Sequence, residues 1–235
     1  MNQVKQTNWR SLGLEFFSIF IAVVSAFALN NWNENRRDAE AASKIIAEIS
    51  NGLEKDQEDI RVNMLGHEAG IRACQFWREI VQGQDVSTDT VMAHFSNLTR
   101  DFISIQNVSG YETLKSRGLE LIEDDSLRRD IIALYEYDYK ILKNFEEEYH
   151  EMQYQENYFQ VINGMIAPNL MFDPRGNIVG FERPLKWSAS EQKIFLSYLW
   201  KIEMNRRFLL SYYGQTKEKV QQLQEQIKGQ LGSWC

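Results

Sequence analysis

Cysteine, histidine and proline are all scarce in this 235-residue chain, which holds two, three and three of them. Two cysteines, Cys74 and Cys235, are too few for a disulfide framework or a thiolate zinc cluster. Cys74 lies among apolar positions at helical spacing and reads as a small core residue. The histidines are His67, His94 and His150. Glu147 and His150 make a Glu-x-x-His pair, half of the pattern that holds two metal ions in carboxylate-bridged bundles. Met64 and Val91 stand where the glutamates of a second pair would precede His67 and His94, so Glu146, Glu147, Glu148 and Glu151 read as a solvated acidic face. His67-Glu68 lacks a second histidine four residues on, and no third group accompanies Cys74 and His67. A phosphate-cradling glycine loop and a G-x-S-x-G elbow are also missing. The expectation is a chain without cofactor, metal or catalytic residues.

Positive charge is in deficit as well. The chain carries a net −7, and residues 1–37 carry +2, which leaves −9 on the remainder. An acidic body without a basic stripe argues against nucleic acid as a partner. It also argues against that body lying flat on an anionic membrane surface.

The three prolines, Pro168, Pro174 and Pro184, fall within one 17-residue stretch, so the chain on either side lacks the strongest helix breaker. Between Asn30 and Gln82, Ile45, Ile46, Ile49, Leu53 and Ile60 recur at three- and four-residue intervals, the mark of a helix. Gly66 and Gly70 are its expected bend, and Gly83-Gln84-Asp85 its end. Ser87 or Thr88 caps a short helix through Leu98, and Ser109 caps another that ends near Gly118. Asp124 or Asp125 opens an amphipathic run expected to continue to Ile166. Asp173 to Asn177 is a turn, and Ile178 to Phe181 a short strand or packed loop. Ser188 and Glu191 form a capping box that opens the last helix. The fold class read from this pattern is all-α: three long helices, one or two short ones and negligible strand.

What the chain has in abundance is one apolar run, Leu12 to Leu29, framed by Trp9 and Trp32. The tryptophans are 23 residues apart, about 34 Å along a helix. A hydrocarbon core is about 30 Å thick and tryptophan favours its boundaries. Lys5 and Arg10 flank one end, Arg36 and Arg37 the other. Residues 1–37 are thus read as a tail and transmembrane helix, continuing into a bundle of long antiparallel helices over 38–235. Ala26-Phe27-Ala28 has the look of a signal-peptide cleavage site, which the early Glu15 opposes. Lysine and arginine counts at the two ends nearly tie, and the orientation favoured is an inside N-terminus with an exported domain.

The run is two-sided. Ser11, Glu15, Ser18, Ala22 and Ser25 recur at spacings of four and three on one stripe, and Ser18, Ala22 and Ala26 make a small-xxx-small series. Serine and carboxylate gain nothing against lipid, whereas another helix or water satisfies them. The partners expected are therefore the bilayer, further copies of the chain and an unidentified protein. The leading functional reading is an anchored interaction or scaffold protein. The alternative is a homo-oligomeric ion channel with Glu15, Ser18 and Ser25 lining a pore and Asn30, with Asn31 and Asn33, ringing its exit.

Three segments extend this picture. Glu15 and Asn30-Asn31-Trp32-Asn33-Glu34 are followed by Tyr111-Glu112-Thr113-Leu114-Lys115-Ser116 with Gly118, and then by Leu127-Arg128, Ile131 and Leu134-Tyr135. Over residues 12–145 this resembles an uncharacterised family of small bacterial membrane proteins with an NNWNE-like helix exit and a YETLKSxG-like segment. The resemblance implies a single-pass protein of the bacterial cytoplasmic membrane with a helical domain, and supplies no reaction. By its residues, Tyr111 to Gly118 reads as a packed corner between helices.

Overall fold

The computed structural model describes residues 9–233, with side chains from Gly13 to Leu231. The first helix, α1 (Trp9–Val81), runs 73 residues without interruption. The helix is not interrupted at Gly66 or Gly70, where the bend was expected. These glycines serve close approach instead: a Cβ on Gly66 would lie 2.3 Å from the Phe102 ring, and one on Gly70 2.3 Å from Arg206 Nε.

A 3-10 turn capped by Ser87, whose Oγ accepts the Asp89 N–H at 3.3 Å, leads into α2 (Val91–Leu98). An extended segment, 101–108, then crosses to α3 (Ser109–Arg117), which ends at Gly118 with φ 110°. Ser109 does not cap α3. Val108 holds that position, and the Ser109 hydroxyl donates to Asn107 Oδ1 at 3.0 Å. The corner itself is packed as expected, with Tyr111 and Leu114 buried and the Tyr111 ring stacked 4.6 Å from Tyr135. Asp124 caps α4 (Asp125–Ala133) by accepting the N–H groups of Ser126 and Leu127 at 2.8 and 3.0 Å.

A π turn over Leu134–Asp138 joins α4 to α5 (Tyr139–Glu147). The long helix expected through Ile166 stops here, and α6 (Tyr154–Asn157) and α7 (Phe159–Ile166) follow a 3-10 turn. No proline causes the break. Asp101 Oδ1 reaches in from the extended segment to accept the Tyr154 N–H at 2.6 Å, Gln153 Nε2 donates to the Glu147 carbonyl and Asn157 Nδ2 to the His150 carbonyl. Side chains thus take up backbone groups that a continuous helix would pair internally. Two long helices remain rather than three.

The strands β1 (Leu170–Phe172) and β2 (Ile178–Phe181) pair antiparallel. Asp173 Oδ1 pins their turn by accepting the N–H groups of Arg175 and Asn177, both at 2.8 Å. The capping box is formed in both directions: Ser188 Oγ accepts the Glu191 N–H at 3.2 Å and Glu191 Oε2 the Ser188 N–H at 2.7 Å. It opens α8 (Ala189–Ser233).

Antiparallel packing of α8 on α1 is the spine of an all-α fold, tied by Gln57–Gln224 at 2.6 Å and Arg78–Glu203 at 2.5 Å. The shorter helices lie against this pair. The apolar core comes in two parts. One gathers Ile46, Leu53 and Ile60 with Tyr213, Val220 and Ile227, and the other gathers Cys74 and Trp77 with Phe195, Leu199 and Ile202. Between them lies a layer of buried polar side chains that includes Asn63, His67, Asn205 and Arg206.

Candidate functional site: the protruding helix and the polar layer

Every described side chain of α1 from Gly13 to Glu40 is exposed, and Ala42 is the first buried one. An 18-residue window here has a mean hydropathy of 1.8, and none of it is buried. Among the described residues this is the one candidate membrane span. Glu15, Ser18, Ala22, Ser25, Ala26 and Asn30 share this exposed length with Trp32, Arg36 and Arg37. The side chains of Trp9, Arg10 and Ser11, and all of Lys5, lie outside the described residues. Some of the polar groups are satisfied locally: the Ser18 hydroxyl donates to the Glu15 carbonyl and Asn30 Nδ2 to Glu34 Oε1, both at 2.9 Å. Arg36 pairs with Glu40 at 3.3 Å.

Because α1 is unbroken, its azimuth carries from the span into the bundle. Ser18, Ala22 and Ser25 precede Glu54, Glu58 and Arg61 by about ten turns each at 3.6 residues per turn. Those three residues are exposed. The small and polar stripe therefore faces away from the bundle core.

The polar layer was missed in the sequence. Arg206 is 0% exposed and touches no carboxylate. Its Nη2 donates to the carbonyls of Leu98 and Arg100 at 3.1 and 2.9 Å, closing the C-terminal end of α2, where carbonyls lack helical partners. Its Nη1 lies 3.2 Å from His67 Nδ1, and its guanidinium stacks 4.2 Å from the Tyr154 ring centre. Burial, with the guanidinium's charge beside it, pushes His67 down to about 3, so the ring is neutral and accepts from Arg206. Burial pushes the Cys74 thiol up to about 12. Neither residue is poised as a nucleophile or base near neutral pH, and His67 serves Arg206 rather than Cys74. A signal was present: Ile202, Arg206, Leu209 and Tyr213 share one helical face, so an arginine sat among core positions.

A second set holds the 101–108 segment between α1 and α5. Glu146 Oε2 accepts the Ser104 N–H at 3.0 Å, Asp59 Oδ2 the Ile105 N–H at 2.9 Å and Asp56 Oδ1 the Asn107 N–H at 2.7 Å. Tyr139 donates to Asp56 at 2.7 Å, and Tyr213 donates to Glu146. Glu146, expected on a solvated face, is thus buried, because the 101–108 segment lies over it and needs acceptors. Burial raises Asp56 to about 6 and Glu146 to about 7, and the Asp59 charge adds to both.

At the base of the bundle, where α1 emerges, a cleft of about 540 Å³ lies between α1 and the 117–124 loop. Asp38, Arg117, Glu120 and Glu123 line it over Ala42, Ile46 and Ile122.

No protein-family model, no curated protein and no solved structure matches this chain.

Proposed function

We propose that the chain is a membrane-anchored scaffold, held by α1 in the bacterial cytoplasmic membrane and self-associating through the stripe of Glu15, Ser18, Ala22 and Ser25. The observation that carries this is the contrast within one helix: exposed and apolar before Trp32, buried in a core after Ala42. An apolar surface of that length is unfavourable in water and favourable in lipid. The outward azimuth of the stripe supports self-association, since two copies can meet through it with their bundles on opposite sides. An orientation with the N-terminus inside and the bundle exported accompanies this reading, which assigns no catalytic step.

Carbonate washing of native membranes should leave the chain in the pellet. Cross-linking there should trap oligomers that the double change Ser18→Leu with Ala22→Leu removes. Release by carbonate overturns the anchor, and oligomers indifferent to the double change overturn the stripe. Ion flux through chain-loaded liposomes that Glu15→Gln abolishes would replace the scaffold with a channel.

A further inference from the structure

We propose that the 101–108 segment is a pH-gated strap: its side-chain clasp on α1 and α5 holds while the clasping acids carry a proton, and lets go, ahead of unfolding, once all of them are ionised. Packing does little to hold this segment. Of its eight residues only Ser104 is buried, and Ile103, Ile105 and Val108 are exposed, Ile105 by 77%. No backbone–backbone hydrogen bond reaches residues 101–107 among the described residues. Inward apolar contact falls to Phe102, whose ring fills the notch beside Gly66 and lies 5.5 Å from the His67 ring. What holds the middle of the strap is three carboxylates: Glu146, Asp59 and Asp56 take the N–H groups of Ser104, Ile105 and Asn107. Asp101, bonded to the Tyr154 N–H, fixes one end, and the packed start of α3 fixes the other. The strap therefore opens between two anchored points.

No cation meets the clasp. Asp56 and Glu146 are 2% and 5% exposed, and neither they nor Asp59 form an ion pair among the described residues. The lysines in the groove beside the strap are engaged elsewhere: Lys115 and Lys140 pair with Glu136, and Lys143 with Glu147. Arg100 and Arg206 lie over the Phe102 ring, 5.6 and 5.7 Å from its centre, and His67 bonds Arg206. The groups that do face the acids are neutral: Asn63 from α1 on Asp59, Tyr139 from α5 on Asp56, and Tyr213 from α8 with the Ser104 hydroxyl on Glu146. Burial beside a like charge favours the protonated acid. Asp56 and Glu146 also have a place for the proton, because each gives one oxygen to a strap amide and the other to a tyrosine hydroxyl, which accepts as well as donates. Their values near 6 and 7 in the closed strap compare with 3.8 and 4.5 for open, solvated acids. The closed form thus binds protons that the open one does not, and closure weakens as pH rises from about 4 to about 7. Release withdraws Phe102 from the notch and uncovers His67 and Arg206, while α1 and α8 stay packed.

Hydrogen exchange of the full chain in micelles, resolved to single amides and timed to offset the chemical rate, tests this at about pH 5.5 and about pH 8. Protection of the Ser104, Ile105 and Asn107 amides should fall at least about tenfold between the two. Amides of α8 from Phe195 to Ile202 should fall less, since the strap opens before the spine. Asp56→Asn with Glu146→Gln keeps the acceptors and removes the titration, so protection of the strap should become equal at both pH values. A clasp that is only structural would instead lose protection in this variant and keep the pH contrast. Equal wild-type protection at both pH values, a loss in step with α8, or a contrast that survives the double change overturns the proposal. The wild-type comparison decides by itself if the variant does not fold.

Discussion

Arg206 is held by acceptors that cannot be mutated away, because three of them are backbone carbonyls, those of Asn97, Leu98 and Arg100. A buried ion pair can often be replaced by apolar residues at little cost, since both charges leave together. Here Arg206→Met would strand the carbonyls and His67 Nδ1 in the interior, at about 1–3 kcal/mol for each unsatisfied group. Denaturant unfolding of the full chain in micelles should show a loss of at least about 3 kcal/mol, and a loss below about 1 would show that the layer relaxes around the gap. Gly70→Ala separates helix propensity from packing. Alanine is favoured over glycine in a helix by about 1 kcal/mol, yet its Cβ would lie 2.3 Å from Arg206 Nε. The clash wins, and the variant should be less stable; a stabilised one would contradict the close approach.

The titratable groups set the dependence on pH. Asp56 and Glu146 have folded values near 6 and 7, above their ordinary 3.8 and 4.5. Between these limits the folded state binds the extra protons, so stability falls as pH rises from about 4 to about 7. His67 works oppositely: its folded value near 3 lies below 6.5, so stability rises with pH between about 3 and 6.5. Two carboxylates outweigh one histidine above about pH 4.5. The midpoint denaturant concentration should therefore be higher at pH 5 than at pH 8, and Glu146→Gln should flatten the curve most between pH 6 and 7. A midpoint that climbs steadily from pH 5 to pH 8 would rule this out.

At the scale of elements, three helix starts were legible, while the cap expected at Ser109 falls to Val108. Ser87, Asp124 and the Ser188–Glu191 box announce themselves because capping is local chemistry, decided by residues two or three apart. Ser188→Ala should lower stability by about 1 kcal/mol and speed amide exchange in the first turn of α8 alone; unchanged exchange there would mean that packing holds the turn without its cap. The apolar run and both long helices were equally plain, since their patterns extend over many turns. What local pattern did not carry was decided at a distance. The break after Glu147 depends on Asp101, 53 residues before the Tyr154 N–H that it accepts. The glycines at 66 and 70 looked like a bend, whereas Phe102 and Arg206 occupy the space beside them. Glu146 sat in an acidic run and looked solvated, and only the path of 101–108 shows why one of that run is buried. The small and polar stripe was legible as a pattern, but a single chain brings no other element to it among the described residues.

For the whole molecule, the continuity of α1 is the main consequence, because under the anchored reading it joins membrane and bundle through one unbroken helix. From Trp32 to Val81 is 49 residues, about 74 Å at 1.5 Å per residue. The bundle adds stiffness by burying α1 from Ala42 onward against α8 and α3. The exposed turns from Trp32 to Glu40 are thus the place where the helix can be broken without touching a core. A fluorophore at the far end, on Gln82→Cys in a Cys235→Ser background, leaves Cys74 buried and unlabelled. Energy transfer to acceptor lipids should place that label about 70 Å from the bilayer surface in the wild-type helix. Inserting Gly-Gly-Ser after Asn35 interrupts the helix at the one stretch that nothing supports, and should bring the mean distance down and broaden its distribution while leaving the melting of the bundle unchanged. If the distance is short before the insertion, or the insertion leaves it unaltered, α1 does not act as a strut.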